Sequence, residues 1–231
     1  MTLWAIIPVK PLRRGKSRLS GVLTENQRVA LNKKLLIHTL STVTQIPELE
    51  QVLVVSRDPE ALAIARFHGA RTVLEDGAPH LNIALARATA VASMYSAAGV
   101  LVLPADLPQI TAEDVRVMVD ASKSPTCLVI APDHRQQGTN AILIKPPGAL
   151  TYSFGENSFF RHVNQAQIKG IRTEIIELPS LAQDVDLPED LSFLNGQIDD
   201  WTHTDDHEEH KSGYVGYYTE LLTNGTHSNE N

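Results

Sequence analysis

The first apolar run, Leu3 to Val9, has no polar alternation, which predicts a strand buried on both faces. Thr24 with Gln27 forms a capping-box pattern, and Val29, Leu31, Leu35, Leu36, Leu40 and Val43 follow at broadly helical spacing. Gln51 to Ser56 is a second continuous apolar strand. Asp58-Pro59 then offers an N-cap with proline at the first helical position, and Gly69 ends that helix. Arg71 to Leu74 is a short strand. An alanine-rich helix covers Leu81 to Ala98, and Gly99 separates it from the wholly apolar strand Val100 to Leu103. Thr111 caps the next helix, and Thr126 to Ala131 is the strand beyond it.

Continuously apolar strands alternating with helices predict an α/β fold with a three-layer, mostly parallel sheet. The second part of the chain is less regular. Asn140 to Ile144 reads as a strand, Phe159 to Lys169 as a helix stopped by Gly170, and Ile171 to Leu178 as a strand with some alternation. An antiparallel edge region is expected there. Residues 1–195 read as a single domain and 196–231 as an acidic, loosely ordered tail with one apolar patch, Tyr214 to Leu222.

Composition narrows the setting. The chain has 231 residues with an apolar fraction of 42%, enough for one α/β domain with a full core. No apolar run approaches the ~18–20 residues that cross a bilayer, so no membrane partner is expected. Met1 to Val9 lacks a basic stretch ahead of its apolar residues and reads as a strand rather than a signal peptide. The single Cys127 excludes an intramolecular disulfide and fits a reducing, cytoplasmic setting. A homo-oligomer stays open.

The distribution of charge changes the picture more than its total of −7. From Gln197 onward eight acids face one base, Lys211, which accounts for the whole excess and leaves residues 1–196 balanced. Within that neutral body five bases fall between Lys10 and Arg18, with no acid before Glu25. A local cluster suggests an anion site. A nucleic-acid face would need a broader basic stripe, so no nucleic acid is expected as partner.

In open α/β sheets ligands sit at the carboxyl ends of the strands. The first strand delivers Lys10, Lys16, Ser17 and Arg18 around Gly15, a loop that can offer backbone donors and cations to a polyphosphate. The plainer reading is a solvated basic loop. The loop matches neither G-x-x-x-x-G-K-[ST] nor G-x-G-x-x-G, which argues against P-loop enzymes and dinucleotide-binding dehydrogenases. Val100 to Leu103 delivers P-A-D-L-P and hence Asp106. Since Thr111 and Asp114 already cap the following helix, Asp106 is free to hold a metal. Asp184 and Asp186 flank Val185, and alternate residues of an extended segment point the same way. Alone they read as surface acids before Pro188; with Asp106 they make a set of three carboxylates for one or two Mg²⁺. Gly138-Thr139-Asn140 opens a strand, and Ser158 is placed to cap a helix whose free N–H groups favour an anion.

In order along residues 3–195, P-V-K-P-L…K-S-R-L, V-V-S-R-D-P, L-N-x-A-L, L-P-A-D-L-P, G-T-N-A-I-L, F-G-x-x-S-F-x-R-H and D-V-D-x-P-E-D-L resemble the guanylyltransferases of coenzyme F(420) biosynthesis. These are the 2-phospho-L-lactate or phosphoenolpyruvate guanylyltransferases, with a fold similar to the nucleotide-diphospho-sugar transferases. The resemblance implies transfer of GMP from GTP to the phosphate of a three-carbon acid, with release of pyrophosphate. By position it implies Thr139, Gly155 and Ser158 on the phosphocarboxylate, and Asp106, Asp184 and Asp186 on Mg²⁺. It likewise implies Lys10, Lys16, Ser17, Arg18 and Asn82 on the nucleotide, with Lys16 and Asp106 catalytic. Glu156-Asn157 departs from a frequent Pro-Gly, Gln137 from a frequent glycine, and Leu187 from a capping threonine, a change expected to weaken the last cap by about 1 kcal/mol. The implied partners are GTP and a three-carbon phosphoacid.

Two rivals remain at this level. One is a sugar-phosphate nucleotidyltransferase or glycosyltransferase of similar fold, although a glycosyltransferase more often carries D-x-D where this chain has A-D-L. The other is a catalytically silent nucleotide-binding regulator, against which the three carboxylates argue. His162, one turn beyond Ser158, either faces the substrate or packs. His203, His207 and His210 have helical spacing but sit among acids in the tail, a weak case for a metal.

Overall fold

A computed structural model of the chain describes residues 2–77, 80–194 and 198–203. In chain order the elements are β1 (Leu3–Val9), α1 (Glu25–Val43), β2 (Leu49–Ser56), α2 (Pro59–Phe67), β3 (Arg71–Leu74), α3 (Leu81–Met94) and β4 (Gly99–Val102). They continue with α4 (Ala112–Ala121), β5 (Cys127–Pro132), β6 (Thr139–Lys145), α5 (Ser158–Ile168), β7 (Arg172–Ile175), α6 (Pro179–Ala182) and α7 (Ile198–Thr202).

The strands form one seven-stranded sheet in the order β3-β2-β1-β4-β6-β5-β7. Its central strands show why continuous apolar runs were needed. Leu3, Ala5 and Ile7 of β1 face one core, with Leu36 and Leu40 of α1 and Ala61 and Leu62 of α2. Trp4 and Ile6 face the opposite core, with Leu85 and Ala88 of α3. Since side chains alternate across the pleat, a strand covered by helices on both faces must be apolar at every position. The three-layer, mostly parallel α/β architecture expected from the sequence is present. The outer strands β3 and β7 are four residues long and partly exposed, which limits the edge available for pairing with another chain.

The antiparallel part lies in the expected half of the sheet, but inward of its margin. Strand β6 runs against both β4 and β5, whereas the outermost strand β7 is parallel to β5. The reversal has a consequence for function. Being reversed, β6 places its first residues, Thr139 and Asn140, at the edge where β1, β2 and β4 deliver their last ones. The short β5–β6 connection makes the reversal natural, since a parallel return would need a crossover of a dozen or more residues.

Local signals held closely. Thr24 accepts from Gln27 N, and the Gln27 side chain accepts from Thr24 N. Thr111 and Asp114 form the same reciprocal pair. Helix α3 stops at Met94, short of Ala98, because Tyr95–Ala98 turn back toward β4 with Ser96 at positive φ. The described residues 198–203 are not a loose tail: Ile198–Thr202 form α7. Trp201 packs against the cluster of Leu19, Leu31 and Leu35, and Lys34 Nζ donates to the Asp200 carbonyl. Trp201 gives that otherwise acidic turn a side chain to bury, while Ile198 stays exposed. The expectations for His207, His210 and Tyr214 to Leu222 lie outside the described residues. Among the described residues no helix is long and apolar enough to cross a membrane.

Candidate active site

The basic loop after β1 is held from beneath. Asp58 caps α2 through Oδ1, which accepts from Glu60 N at 2.9 Å, while its Oδ2 accepts from Leu12 N at 2.7 Å. Asn32 of α1 donates through Nδ2 to the Leu12 carbonyl at 2.7 Å. The same amide explains Gly15, since a Cβ there would stand 2.6 Å from Asn32 Nδ2. Lys16 follows in the left-handed region, at φ 54° and ψ 36°, which turns its side chain away from solvent.

Its ammonium lies between carboxylates. Lys16 Nζ is 3.3 Å from Asp106 Oδ2 and 3.1 Å from Asp186 Oδ1, with the side chain only 8% exposed. Burial acts against the charge on Lys16, but the two carboxylates outweigh it and its pKa is raised. Arg18 Nη1 is 3.8 Å from Asp186 Oδ2 and is largely exposed, so that contact adds little. The side chains of Lys10 and Ser17 stand exposed on the loop. Four of the expected nucleotide residues thus lie on one loop, but Lys16 points into the acidic group rather than outward.

The third carboxylate arrives by a separate route. Val185 N donates to the Asp106 carbonyl at 3.1 Å, joining the 184–186 segment to the turn after β4. Val185 itself is buried with Leu19, Leu23 and Leu31. The segment is extended, so burying Val185 leaves Asp184 and Asp186 on the opposite side, as their spacing predicts. Asn140 Nδ2 reaches Asp184 Oδ1 at 3.2 Å and the Leu181 carbonyl at 3.0 Å. One oxygen from each of Asp106, Asp184 and Asp186 lies within 4.8 Å of the others. The pKa of Asp184 is pushed up to about 6, first by burial and then by Asp106 and Asp186, against the opposing pull of Asn140 and Lys16.

Three carboxylates and one ammonium leave a surplus of negative charge that a divalent cation would neutralise. The donors are hard oxygens, the ligand type that Mg²⁺ prefers. The cluster therefore fits the metal expected from the sequence.

Residues expected on the acceptor gather across the reversed strand. Gly155 has φ +120°, a conformation open to glycine but strained for any side chain. A Cβ on it would stand 3.4 Å from Nη2 of Arg161, so that guanidinium lies against Gly155. Ser158 is the first residue of α5 and not its cap. The cap position belongs to Asn157, at φ 53°, with no side-chain cap bond. Asparagine tolerates this left-handed conformation better than most residues, which lets the helix begin one residue earlier than a serine cap would set. The helix start is also less open to an anion than expected, since Ser158 N donates to Gly155 O and Phe159 N to Gln137 O. The Thr139 hydroxyl lies 3.1 Å from His162 Nδ1, and His162 is fully buried, with Nε2 accepting from Ser153 N at 2.9 Å. Of the two readings for His162 the structure realises packing, with Thr139 as its link to the candidate site.

Asn82 stands differently from its expected role. Its amide donates to the Phe154 carbonyl at 3.2 Å and accepts from Phe154 N at 2.8 Å. Both ends are engaged with the backbone of Phe154, so Asn82 braces the loop before Gly155. The last cap also differs. Asp190 accepts from Leu187 N at 2.6 Å and Asp186 N at 2.9 Å, so its half of a capping box is present although Leu187 has no side-chain acceptor for the other half. Sequence reasoning passed over Arg161 and Asn140, although both lie inside quoted motifs. Their signal was a polar side chain beside each candidate, which needs the fold to be read.

The profile of the family described as "Guanylyl transferase CofC like" matches residues 3–204. A protein of Rubrobacter xylanophilus named phosphoenolpyruvate guanylyltransferase is 41% identical over 194 residues, covering 84% of this chain and 94% of the relative. A protein of Methanothermobacter thermautotrophicus named 2-phospho-L-lactate guanylyltransferase is 32% identical, covering 85% and 86%. Among solved structures, one described as a nucleotide-diphospho-sugar transferase from Desulfovibrio desulfuricans G20 aligns with a TM-score of 0.67 at 14% identity, covering 96% and 95%. A 4-diphosphocytidyl-2C-methyl-D-erythritol synthase from Anaerococcus prevotii aligns with a TM-score of 0.59 at 12% identity, covering 84% and 96%. At such identities these two establish the fold alone.

Proposed function

The chain belongs to the CofC-like guanylyl transferase family, and from that premise we propose that it transfers GMP from GTP to the phosphate of phosphoenolpyruvate, releasing pyrophosphate in the cytoplasm as a step of coenzyme F(420) biosynthesis. The observation that carries the reaction type is the convergence of Asp106, Asp184 and Asp186 beside the basic loop. The choice of phosphoenolpyruvate rests on the name of the 41% identical bacterial relative. A second reading, 2-phospho-L-lactate as acceptor, is favoured by the name of the archaeal relative.

The nucleophile is a phosphate oxygen of the acceptor, ionised at neutral pH, so no general base is required. It forms a bond to the α-phosphorus of GTP as the bond from that phosphorus to the bridging oxygen breaks, and pyrophosphate carries away the electron pair. The protein's task is to align two polyanions and offset their repulsion. Asp106, Asp184 and Asp186 would hold Mg²⁺, which supplies charge neutralisation on the reacting phosphates. Lys10, Ser17 and Arg18 offer donors to the triphosphate from the exposed side of the loop, and Lys16 can turn to it from the carboxylates. Thr139, Gly155 and Ser158 receive the acceptor. Arg161 adds the positive charge that its carboxylate requires, since those three are uncharged.

Pyrophosphate release should be measured with GTP and, in turn, phosphoenolpyruvate, 2-phospho-L-lactate or 3-phosphoglycerate. Release with phosphoenolpyruvate and GTP, and not with CTP or UTP, is expected. Preference for phospholactate would favour the second reading, and no release with any acceptor would refute both.

A further inference from the structure

We propose that His162 is a positioning residue for Thr139, fixing its hydroxyl as a hydrogen-bond donor to an oxyanion of the acceptor; this rests on the assignment of Thr139 to the acceptor. The argument follows the protons. A backbone N–H can only donate, and Ser153 N lies 2.9 Å from His162 Nε2. Nε2 must therefore present its lone pair. Burial holds the ring neutral, its pKa pushed down to about 4, with the nearby Arg161 charge acting in the same direction. A neutral imidazole with an accepting Nε2 carries its proton on Nδ1. Nδ1 is 3.1 Å from Thr139 Oγ1, so it donates and the threonine oxygen accepts.

That assignment leaves the hydroxyl proton of Thr139 unused. Among the described residues no other side chain or backbone atom hydrogen-bonds Oγ1. The hydroxyl is nearly buried at the start of β6, with Asn140, the partner of Asp184, as the next residue. A buried donor without an acceptor is costly, and an anionic oxygen arriving there would satisfy it. With the opposite tautomer, Thr139 would have to donate to the imidazole and would face an anion with lone pairs. His162 thus sets the sign of the hydrogen bond. It also ties the 153–155 loop to β6, two of the parts on which the acceptor depends.

The test separates the two ring nitrogens. His162→Gln keeps an acceptor near Ser153 N and loses the Nδ1 donor, whereas His162→Asn keeps a donor near Nδ1 and loses the acceptor. With wild type established as active, His162→Gln and Thr139→Val should each raise the KM for phosphoenolpyruvate about 10-fold, ~1.4 kcal/mol, with the KM for GTP changed less than about twofold. His162→Asn should restore most of the loss, and the Gln/Val double variant should be no worse than either single one. Equal effects on both KM values, additive losses, or a larger defect in Asn than in Gln would overturn the proposal.

Ring ¹⁵N shifts of labelled wild type give a readout independent of variant folding. A protonated Nδ1 and a bare Nε2 are expected, with Nδ1 moving on addition of phosphoenolpyruvate and not of GTP alone. The reverse tautomer, or an unmoved Nδ1 in an enzyme that uses phosphoenolpyruvate, would refute the inference by itself. Absence of any turnover in wild type would instead refute the proposed reaction.

Discussion

Asp184→Asn should stabilise the metal-free protein while abolishing its activity. Asp184 is largely removed from water and crowded by Asp106 and Asp186, which together lift its pKa from the ordinary 3.8 to about 6. A carboxylate with a raised folded-state pKa favours folding while protonated and loses that contribution as pH rises from 3.8 through 6. At pH 7.5 the ionised group therefore costs the fold up to about 3 kcal/mol, the equivalent of the shift. Partial exposure and the Lys16 ammonium reduce this, so a gain of roughly 1–2 kcal/mol is expected on removing the charge. Asparagine retains an oxygen to accept from Asn140 Nδ2, so no polar group is orphaned. Thermal denaturation in EDTA should give a Tm roughly 2–8 °C above wild type at pH 7.5. The difference should shrink as pH falls below 6 and vanish near 4. Added Mg²⁺ should raise the Tm of wild type more than that of the variant, and turnover should fall at least ~100-fold, equivalent to about 2.7 kcal/mol. A metal-free variant no more stable than wild type at pH 7.5 would refute the picture of a buried carboxylate crowded by two others.

Asp106→Asn should likewise lower turnover at least ~100-fold while the protein stays folded, and near-normal pyrophosphate release would end its metal role. Gly15→Ala forces a Cβ to within 2.6 Å of the Asn32 amide and should raise the KM for GTP several-fold, with the phosphoenolpyruvate KM little changed in steady-state assays. Arg161→Gln should do the opposite, raising the acceptor KM about 10-fold and leaving GTP unaffected, a loss of ~1.4 kcal/mol in binding. His162, neutral in the fold down to about pH 4, should make the protein lose stability as pH falls from 6.5 toward 4, by up to about 3 kcal/mol. Chemical denaturation of wild type and His162→Gln across that window checks it, since the variant should show the shallower loss.

The parts of the fold visible in the sequence are those decided within a few residues. Capping boxes at Thr24 and Thr111 involve side chains three residues apart, and both formed as written. Continuous apolar strands announced burial on both faces because a single polar residue there would meet one core or the other. The reversal of β6 was placed only to within a region, since strand direction depends on which neighbours pair and not on local composition. The start of α5 was misplaced by one residue because Ser158 is a good cap, whereas Asn157 in the left-handed region competes through backbone conformation alone. Helix α7 was hidden by its acids, for Trp201 gains its meaning only from the α1 residues it packs against.

The site divides along the same line. Asp184 and Asp186 could be paired from their spacing, and Asp106 could be freed by noting that another residue caps α4. Each of those arguments uses one segment. What the sequence could not supply was the sign of Lys16. As a member of a basic cluster it invited a phosphate, yet its ammonium sits against Asp106 and Asp186, drawn from 90 and 170 residues away. The basic loop therefore divides between an outer side, where Lys10, Ser17 and Arg18 are exposed, and an inner cation that already offsets part of the acidic charge. One ammonium among three carboxylates leaves about two negative charges, if all are ionised, and that remainder matches a single divalent ion. Asp184, lifted first by burial and then by Asp106 and Asp186, feels the same imbalance from the acid side. A cation cluster on a neutral body thus divides into exposed members that face solvent and a buried one that faces carboxylates.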